Sequence, residues 1–295
     1  MLLSFDDYEV QSRKLAKVLN IPCEIIRRHR FPDGEHKLTL PPELPEHVIF
    51  CRSLDHPNEK LLELLLAAKT ARQLGAKTLT LVAPYLCYMR QDIAFHPGEV
   101  VSQGIVGDFL ADLFENIITI DPHLHRIQRL EQAVPADNAI ALSATSLMAE
   151  FLHERFKDPA LQPPVLLGPD NEAEQWVSTV AKHDQWTYGV CNKIRTGDQD
   201  VEITLPEIDL HGRTVILVDD VASSGQTLAV AIKKCLYNNA KHVDVLVTHA
   251  LFVNEAVQHL LQAGVRHIWS TDSVSHESNI IPLHNLLKDA ILNLQ

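Results

Sequence analysis

Residues 215–227 read VILVDDVASSGQT. Four apolar, mostly β-branched residues run into two adjacent carboxylates, Asp219 and Asp220, and small residues, hydroxyls and a glycine follow. The apolar run predicts a buried strand. Ser223, Ser224, Gly225, Gln226 and Thr227 predict a turn that feeds a helix N-terminus. Such a terminus presents unpaired N–H groups and the positive end of the helix dipole, so it holds a phosphate without a lysine. Gly225 lets the backbone approach closely, and Ser224 and Thr227 add hydroxyl donors. One step back, at the strand end, a carboxylate does not touch that phosphate; it accepts from a pair of vicinal hydroxyls or faces a bound cation. A phosphate at one end and a diol at the other describes a pentose 5-phosphate. Two acids alone would equally suit a solvated strand end, and the complete string is what carries the reading.

Other strand ends carry titratable groups too: Arg90-Gln91-Asp92, Asp121 to His125, Asp170, and Lys193-Ile194-Arg195. Ligands of parallel α/β sheets sit outside the carboxyl ends of the strands, so the question becomes which elements place these residues. Strands are predicted in HVIFCRS, TLTLVAPYL, NIITID, AIALSA, PVLLGPD, WTYGVCNK, TVILVDD, HVDVLVTHA and HIWSTDS. Helices are predicted over 58–76, 98–114, 143–156, 171–184, 225–240 and 253–263. In the first of these, Leu61, Leu64, Leu65 and Ala68 share one face at helical spacing. QLGAK and QAGVR read as helix stops. The alternation predicts a parallel α/β architecture, and the similar form of TLTLVAPYLCYMRQD and PVLLGPDNEAEQW points to two such domains. We place them at 1–142 and 143–280, with a C-terminal helix over 281–295 packing back on the body.

The chain has 295 residues, with 26 Lys and Arg against 38 Asp and Glu, a formal charge of −12. That excludes a protein that coats nucleic acid, and it means an anionic ligand needs local cations or a metal ion to overcome the global field. The five cysteines are odd in number and form no C-x-x-C pair, which predicts reduced thiols in a reducing, cytoplasmic setting. MLLSFDDYEV meets acids by residue 6, so no signal peptide is expected. No apolar run approaches the ~18–20 residues of a membrane helix.

The string from Val215 to Thr227 resembles the phosphoribosyl-pyrophosphate motif of the type I phosphoribosyltransferase fold. Further stretches resemble ribose-phosphate pyrophosphokinases in order and spacing: RFPDGEHKLTLP, PYLCYMRQD, DPHLHRIQ, GPDNEAE and CNKIR. The resemblance runs from Phe31 to Ala240. It implies two tandem phosphoribosyltransferase-like domains, each a mainly parallel sheet flanked by helices. The implied reaction transfers the diphosphoryl group of Mg-ATP to the 1-hydroxyl of ribose 5-phosphate, with AMP released. Same-fold alternatives are a diphosphotransferase or kinase with altered acceptor or donor, and a non-catalytic synthetase-associated subunit.

The resemblance also implies roles. Phe31, Asp33, Gly34 and Glu35 would meet the adenine from a neighbouring subunit of a homo-oligomer built from dimers, as a tetramer or hexamer, although PDG by itself is a turn former. Arg90, Gln91 and Asp92 would bind ATP, with an Arg90–Asp92 ion pair as the plainer alternative. His123 and Asp170 would hold Mg2+. His125 completes an H-x-H, but no further ligands stand at zinc-site spacing. Lys193 and Arg195 would stabilise the transferring group ahead of TGDQDVEI, which suits a mobile lid. Asp219, Asp220 and residues 223–227 would bind ribose 5-phosphate. Three departures stand out. IAFHPGEVVSQ lacks the paired serine and arginine that would grip phosphate in phosphate-regulated synthetases, Asn171-Glu172-Ala173 replaces a glycine pair after Asp170, and Ser223 replaces a common aspartate.

Overall fold

The computed structural model describes residues 1–124, 126–127, 129–195 and 201–294, with the backbone alone for 193–195 and 201–202. The chain divides into two compact units. The first comprises Met1–Leu142, Ser273–Ser275 and Leu283–Gln295; the second comprises Ser143–Asp272 and His276–Pro282.

In the first unit the order is β1 (Leu2–Ser4), α1 (Glu9–Leu19), β2 (Cys23–Ile25), β3 (Arg27–Arg30), β4 (His36–Thr39), β5 (His47–Cys51), α2 (Pro57–Gln73), β6 (Thr78–Val82), α3 (Ser102–Ala111), β7 (Asn116–Ile120) and β8 (Asn138–Leu142). Six of the strands form one sheet in the order β2-β1-β5-β6-β7-β8, and every pairing is parallel. β3 and β4 form a separate antiparallel hairpin, with Arg30 opposite His36. The core gathers Leu3, Phe50, Leu79, Leu81 and Ile117 from the strands with Leu64, Ala68 and Leu110 from the helices. α2 buries Glu63 along with Leu64, Ala67, Ala68 and Ala71. The inward face is therefore set one position off the leucine stripe read from the sequence, and it includes a carboxylate.

The second unit runs α4 (Thr145–Phe156), β9 (Val165–Gly168), α5 (Glu174–Lys182), β10 (Tyr188–Val190), β11 (Asn192–Arg195), β12 (Val201–Thr204), β13 (Thr214–Ala222), α6 (Gln226–Tyr237), β14 (His242–Ala250), α7 (Ala256–Ala263), β15 (Ile268–Thr271) and β16 (Asn279–Ile281). Its sheet has the order β10-β9-β13-β14-β15-β16 and is again parallel throughout. Val215, Ile216, Leu217 and Val218 are all fully buried, because a parallel strand between two others has helices over both faces. α7 stops at Gly264, whose φ of +99° is left-handed, and the Val265 amide donates back to Leu260 O at 3.1 Å. The last helix, α8 (His284–Leu292), belongs to the first unit.

The sequence reading missed β1, α1, β2 and the β3–β4 hairpin. Arg27–Arg30 is polar and exposed at every position, so no hydrophobic period marks it. WTYGVCNK reads as one strand but forms two. β10 pairs with β9 in the main sheet, Cys191 is buried between them, and β11 pairs antiparallel with β12. Of TGDQDVEI, residues 196–200 lie outside the described residues and the rest is strand β12. No helix among the described residues is long and apolar enough to cross a membrane.

Candidate functional site

In the second sheet the chain steps from β9 outward to β10, then returns to the other side of β9 with β13. That reversal opens a crevice at the carboxyl ends of β9 and β13, where α/β sheets bind ligands. Asp170 stands just past β9, and Asp219 and Asp220 lie near the end of β13, before the loop to α6. Asp170 caps the short turn Asn171–Ala173, its carboxylate accepting from the Glu172 amide at 3.1 Å. The Asp220 amide donates to Asp219 Oδ1 at 3.0 Å, and Asp220 is buried. Burial first, then the Asp220 and Asp170 carboxylates, push the Asp219 carboxyl well above the usual carboxylate range.

Beyond these acids Gly225 forms the N-cap of α6 at φ 72°, a left-handed conformation that a side chain resists. The Ala229 amide closes the first helical bond onto Gly225 O at 2.8 Å. The amides of Gln226, Thr227 and Leu228 therefore precede the ladder and point out of the helix start. Ser224 and Gln226 are exposed, and Ser223 and Thr227 half-buried. The Val253 amide donates to Ser223 O at 3.2 Å, which fixes the loop against the next β–α connection. Carboxylates thus stand at the strand end and a helix start with unpaired amides stands beyond them, in one unit. Lys193 and Arg195 sit on β11 opposite Ile203 and Val201, and buried Ile203 roots that ribbon in the core below. Glu172, the departure after Asp170, is exposed.

In the first unit Leu86, Cys87 and Met89 are buried while Arg90 emerges exposed. Asp92 pairs with Arg126 at 2.6 Å. The Arg90–Asp92 pair offered as the plainer reading does not form, and no described side chain pairs with Arg90. Gln91 is tied back, its carbonyl accepting from the Gln103 amide at 3.2 Å. Asp121 ends β7 with a left-handed φ of 36°, and half-buried His123 follows it. His125 lies outside the described residues. His96 faces Glu99 at 3.9 Å. Phe31 to Glu35 form the hairpin tip. The Phe31 amide donates to Glu35 O at 2.8 Å, the Glu35 amide donates to Asp33 Oδ1 at 3.1 Å, and Phe31 is 40% exposed.

The first sheet has the same reversal between β1 and β5, but there the crevice is filled. Arg52, fully buried, lies 3.9 Å over the Phe5 ring, contacts Asp7 at 2.6 Å and contacts Glu63 at 2.6 Å. Glu63 also takes Arg28 at 3.2 Å and His36 at 2.7 Å, so it ties both hairpin strands to α2. Sequence reasoning missed this group. Its only signal is one acid inside LLELLLAAK and one arginine at the end of an apolar strand.

A family model described as the N-terminal domain of ribose phosphate pyrophosphokinase matches residues 1–113, and a phosphoribosyl transferase domain model matches residues 140–270. A ribose-phosphate pyrophosphokinase of Methanopyrus kandleri is 34% identical over 284 residues, 96% of this chain and 95% of its own length. One from Saccharolobus solfataricus is 30% identical over 276 residues, 91% of each. The crystal structure of phosphoribosylpyrophosphate synthetase from Mycobacterium smegmatis aligns with TM-score 0.84 over 100% of this chain and 98% of that chain at 20% identity, which shows a shared fold.

Proposed function

The chain belongs to the ribose-phosphate pyrophosphokinase family, and from that premise we propose that it transfers the diphosphoryl group of ATP to the 1-hydroxyl of ribose 5-phosphate, releasing AMP. The observation that carries the reading is the second unit's crevice, where three carboxylates stand next to a glycine-capped helix start. The α6 start and the hydroxyls of Ser223, Ser224 and Thr227, with Gly225 and Gln226, take the 5-phosphate. Asp219 and Asp220 accept from the 2- and 3-hydroxyls. Arg90, Gln91 and Asp92 belong to the ATP side, with the Arg90 fork matched to phosphate oxygens and Asp92 held by Arg126. Phe31, Asp33, Gly34 and Glu35 present an aromatic face and polar groups to the adenine of a second subunit in a homo-oligomer.

The donor set fits Mg2+. Carboxylate oxygens are its preferred ligands, and a divalent cation nearby would offset the burial and the Asp220 and Asp170 repulsion that together raise Asp219. In this unit Asp170 is the residue we assign to that ion, which when bound would neutralise phosphate charge; His123 of the first unit is the other candidate the family resemblance names. Lys193 and Arg195 then need supply only cationic stabilisation of the transferring group, since phosphoryl transfer depends on positioning and electrostatics. Burial pushes the Cys87, Cys191 and Cys235 thiols up to about 12, which suits unreactive reduced cysteines and a cytoplasmic enzyme.

The test is product identity. With Mg-ATP and ribose 5-phosphate, AMP and a 1-diphosphorylated sugar phosphate should form in equal amounts. ADP with a monophosphorylated product would replace this reading by a simple kinase.

A further inference from the structure

α4 and α5 lie over the second sheet and run back from its ligand-bearing strand ends. α5 begins just beyond Asp170 and closes at His183, so its C-terminus lies at the opposite edge of the sheet. His153 is in the last turn of α4. Here Asp184 bridges two imidazoles. His153 Nδ1 is 2.8 Å from Asp184 Oδ1, His183 Nδ1 is 3.1 Å from Asp184 Oδ2, and the two rings lie 5.4 Å apart, edge to face. Burial alone would push the Asp184 carboxyl up, yet the hydrogen bonds from His153 and His183 bring it below its ordinary range. Nothing in the proposed reaction uses these three side chains.

Their donor atoms all lie within 4.8 Å of one another. A tetrahedral ion with bonds of about 2.0–2.1 Å needs donors about 3.3 Å apart, so both N–O separations are already close. The remaining separation closes by side-chain rotation, because His153 is 45% and His183 41% exposed. Two imidazoles and a carboxylate select borderline metals such as Zn2+ over Mg2+, which prefers an all-oxygen octahedron. The backbone adds to this. Both histidines sit at helix C-termini, where the dipole favours positive charge, so a divalent ion there meets the negative ends of two helices.

We propose that His153, His183 and Asp184 form a site for a divalent transition metal of the Zn2+ class, remote from the reaction crevice, which fastens the C-terminal ends of α4 and α5 together. On binding, each neutral imidazole carries its single proton on Nε2, so that its Nδ1 lone pair faces the ion in place of the hydrogen bond to Asp184. Solvent completes the coordination.

Untagged protein, stripped with chelator and then saturated with Mg2+ to occupy oxygen sites, is titrated with Co2+ as a visible probe and with Zn2+ by calorimetry. The expected result is one tight ion per chain, a Co2+ band displaced by Zn2+, and a melting temperature that rises with Zn2+ concentration. All three should be lost in the double variant His153→Ala/His183→Ala and weakened in Asp184→Asn, while both variants keep wild-type turnover with Mg-ATP. Identical titrations in wild type and double variant, or no Zn2+-dependent signal up to about 0.1 mM, would overturn the proposal.

Discussion

Glu63→Gln tests the buried ionic group of the first unit. The wild-type carboxylate is 1% exposed and meets two arginines and a histidine, Arg52 at 2.6 Å, Arg28 at 3.2 Å and His36 at 2.7 Å. Removing one partner of a buried pair costs about 3–5 kcal/mol, because the other charge stays buried and unpaired. Here Arg52 keeps Asp7, whose carboxylate oxygens lie 3.1 Å from its Nε, and the amide oxygen of the substituted side chain can still accept hydrogen bonds. The loss therefore falls at the low end, about 3 kcal/mol. For a unit of this size that corresponds to a fall in Tm of about 6–12 °C. Denaturant titration of wild type, Glu63→Gln, Arg52→Met and the double variant should give a coupling of about 1.5–3 kcal/mol. Glu63 also anchors Arg28 of β3 and His36 of β4, so the surviving folded enzyme should show a raised KM for ATP with a smaller change in kcat. A stability loss under about 1 kcal/mol with no coupling would refute the reasoning, since it would mean the ions are already solvated.

Asp219→Asn should abolish activity yet raise the Tm of the metal-free protein at pH 8. A carboxyl whose folded pKa is raised favours the folded state below its unfolded pKa and loses that favour as pH rises through the folded value. The gain should therefore vanish near pH 4, and a lower Tm than wild type at pH 8 would contradict it. Lys193→Ala should lower kcat by on the order of 10²–10³ with little change in KM; turnover within tenfold of wild type removes its catalytic assignment. Asp220→Ala should narrow the preference for ribose 5-phosphate over its 2-deoxy analogue, because a site built for a hydroxyl rejects the analogue lacking it. Thr227→Val should weaken both sugars alike, and the ratio of kcat/KM values decides between these outcomes. Inorganic phosphate should not activate strongly, since the one cationic candidate in IAFHPGEVVSQ, His96, faces Glu99; saturable activation at fixed ionic strength would require another effector site.

The parts of this protein legible in one dimension were those whose physics is local. VILV announces a doubly covered strand because four consecutive apolar residues have no exposed face to occupy. SSGQT announces a helix start because small hydroxyl residues and a left-handed glycine suit the turn into one, and α6 does begin at Gln226. Alternation of such signals sufficed for a parallel α/β class, and the ordered motifs pointed to the family. What lay beyond reach depended on partners far apart in sequence. The β3–β4 hairpin has no hydrophobic period, and what holds it is a carboxylate on α2, 35 residues from Arg28. Glu63 lies beside the stripe of Leu61, Leu64, Leu65 and Ala68, and nothing local marks it as buried. Only the packing of α2 on its sheet turns it inward, to meet an arginine whose burial no local pattern records. Both sheets reverse direction at an equivalent place, and the sequence shows two similar halves. Tertiary structure decided that one reversal is occupied by Arg52, Glu63, Asp7 and Phe5, while the other has three carboxylates and a helix start beside it. The reason is that a strand-end residue's chemistry is fixed by its type, but whether a ligand or a neighbouring side chain satisfies it depends on what the rest of the chain brings to that edge.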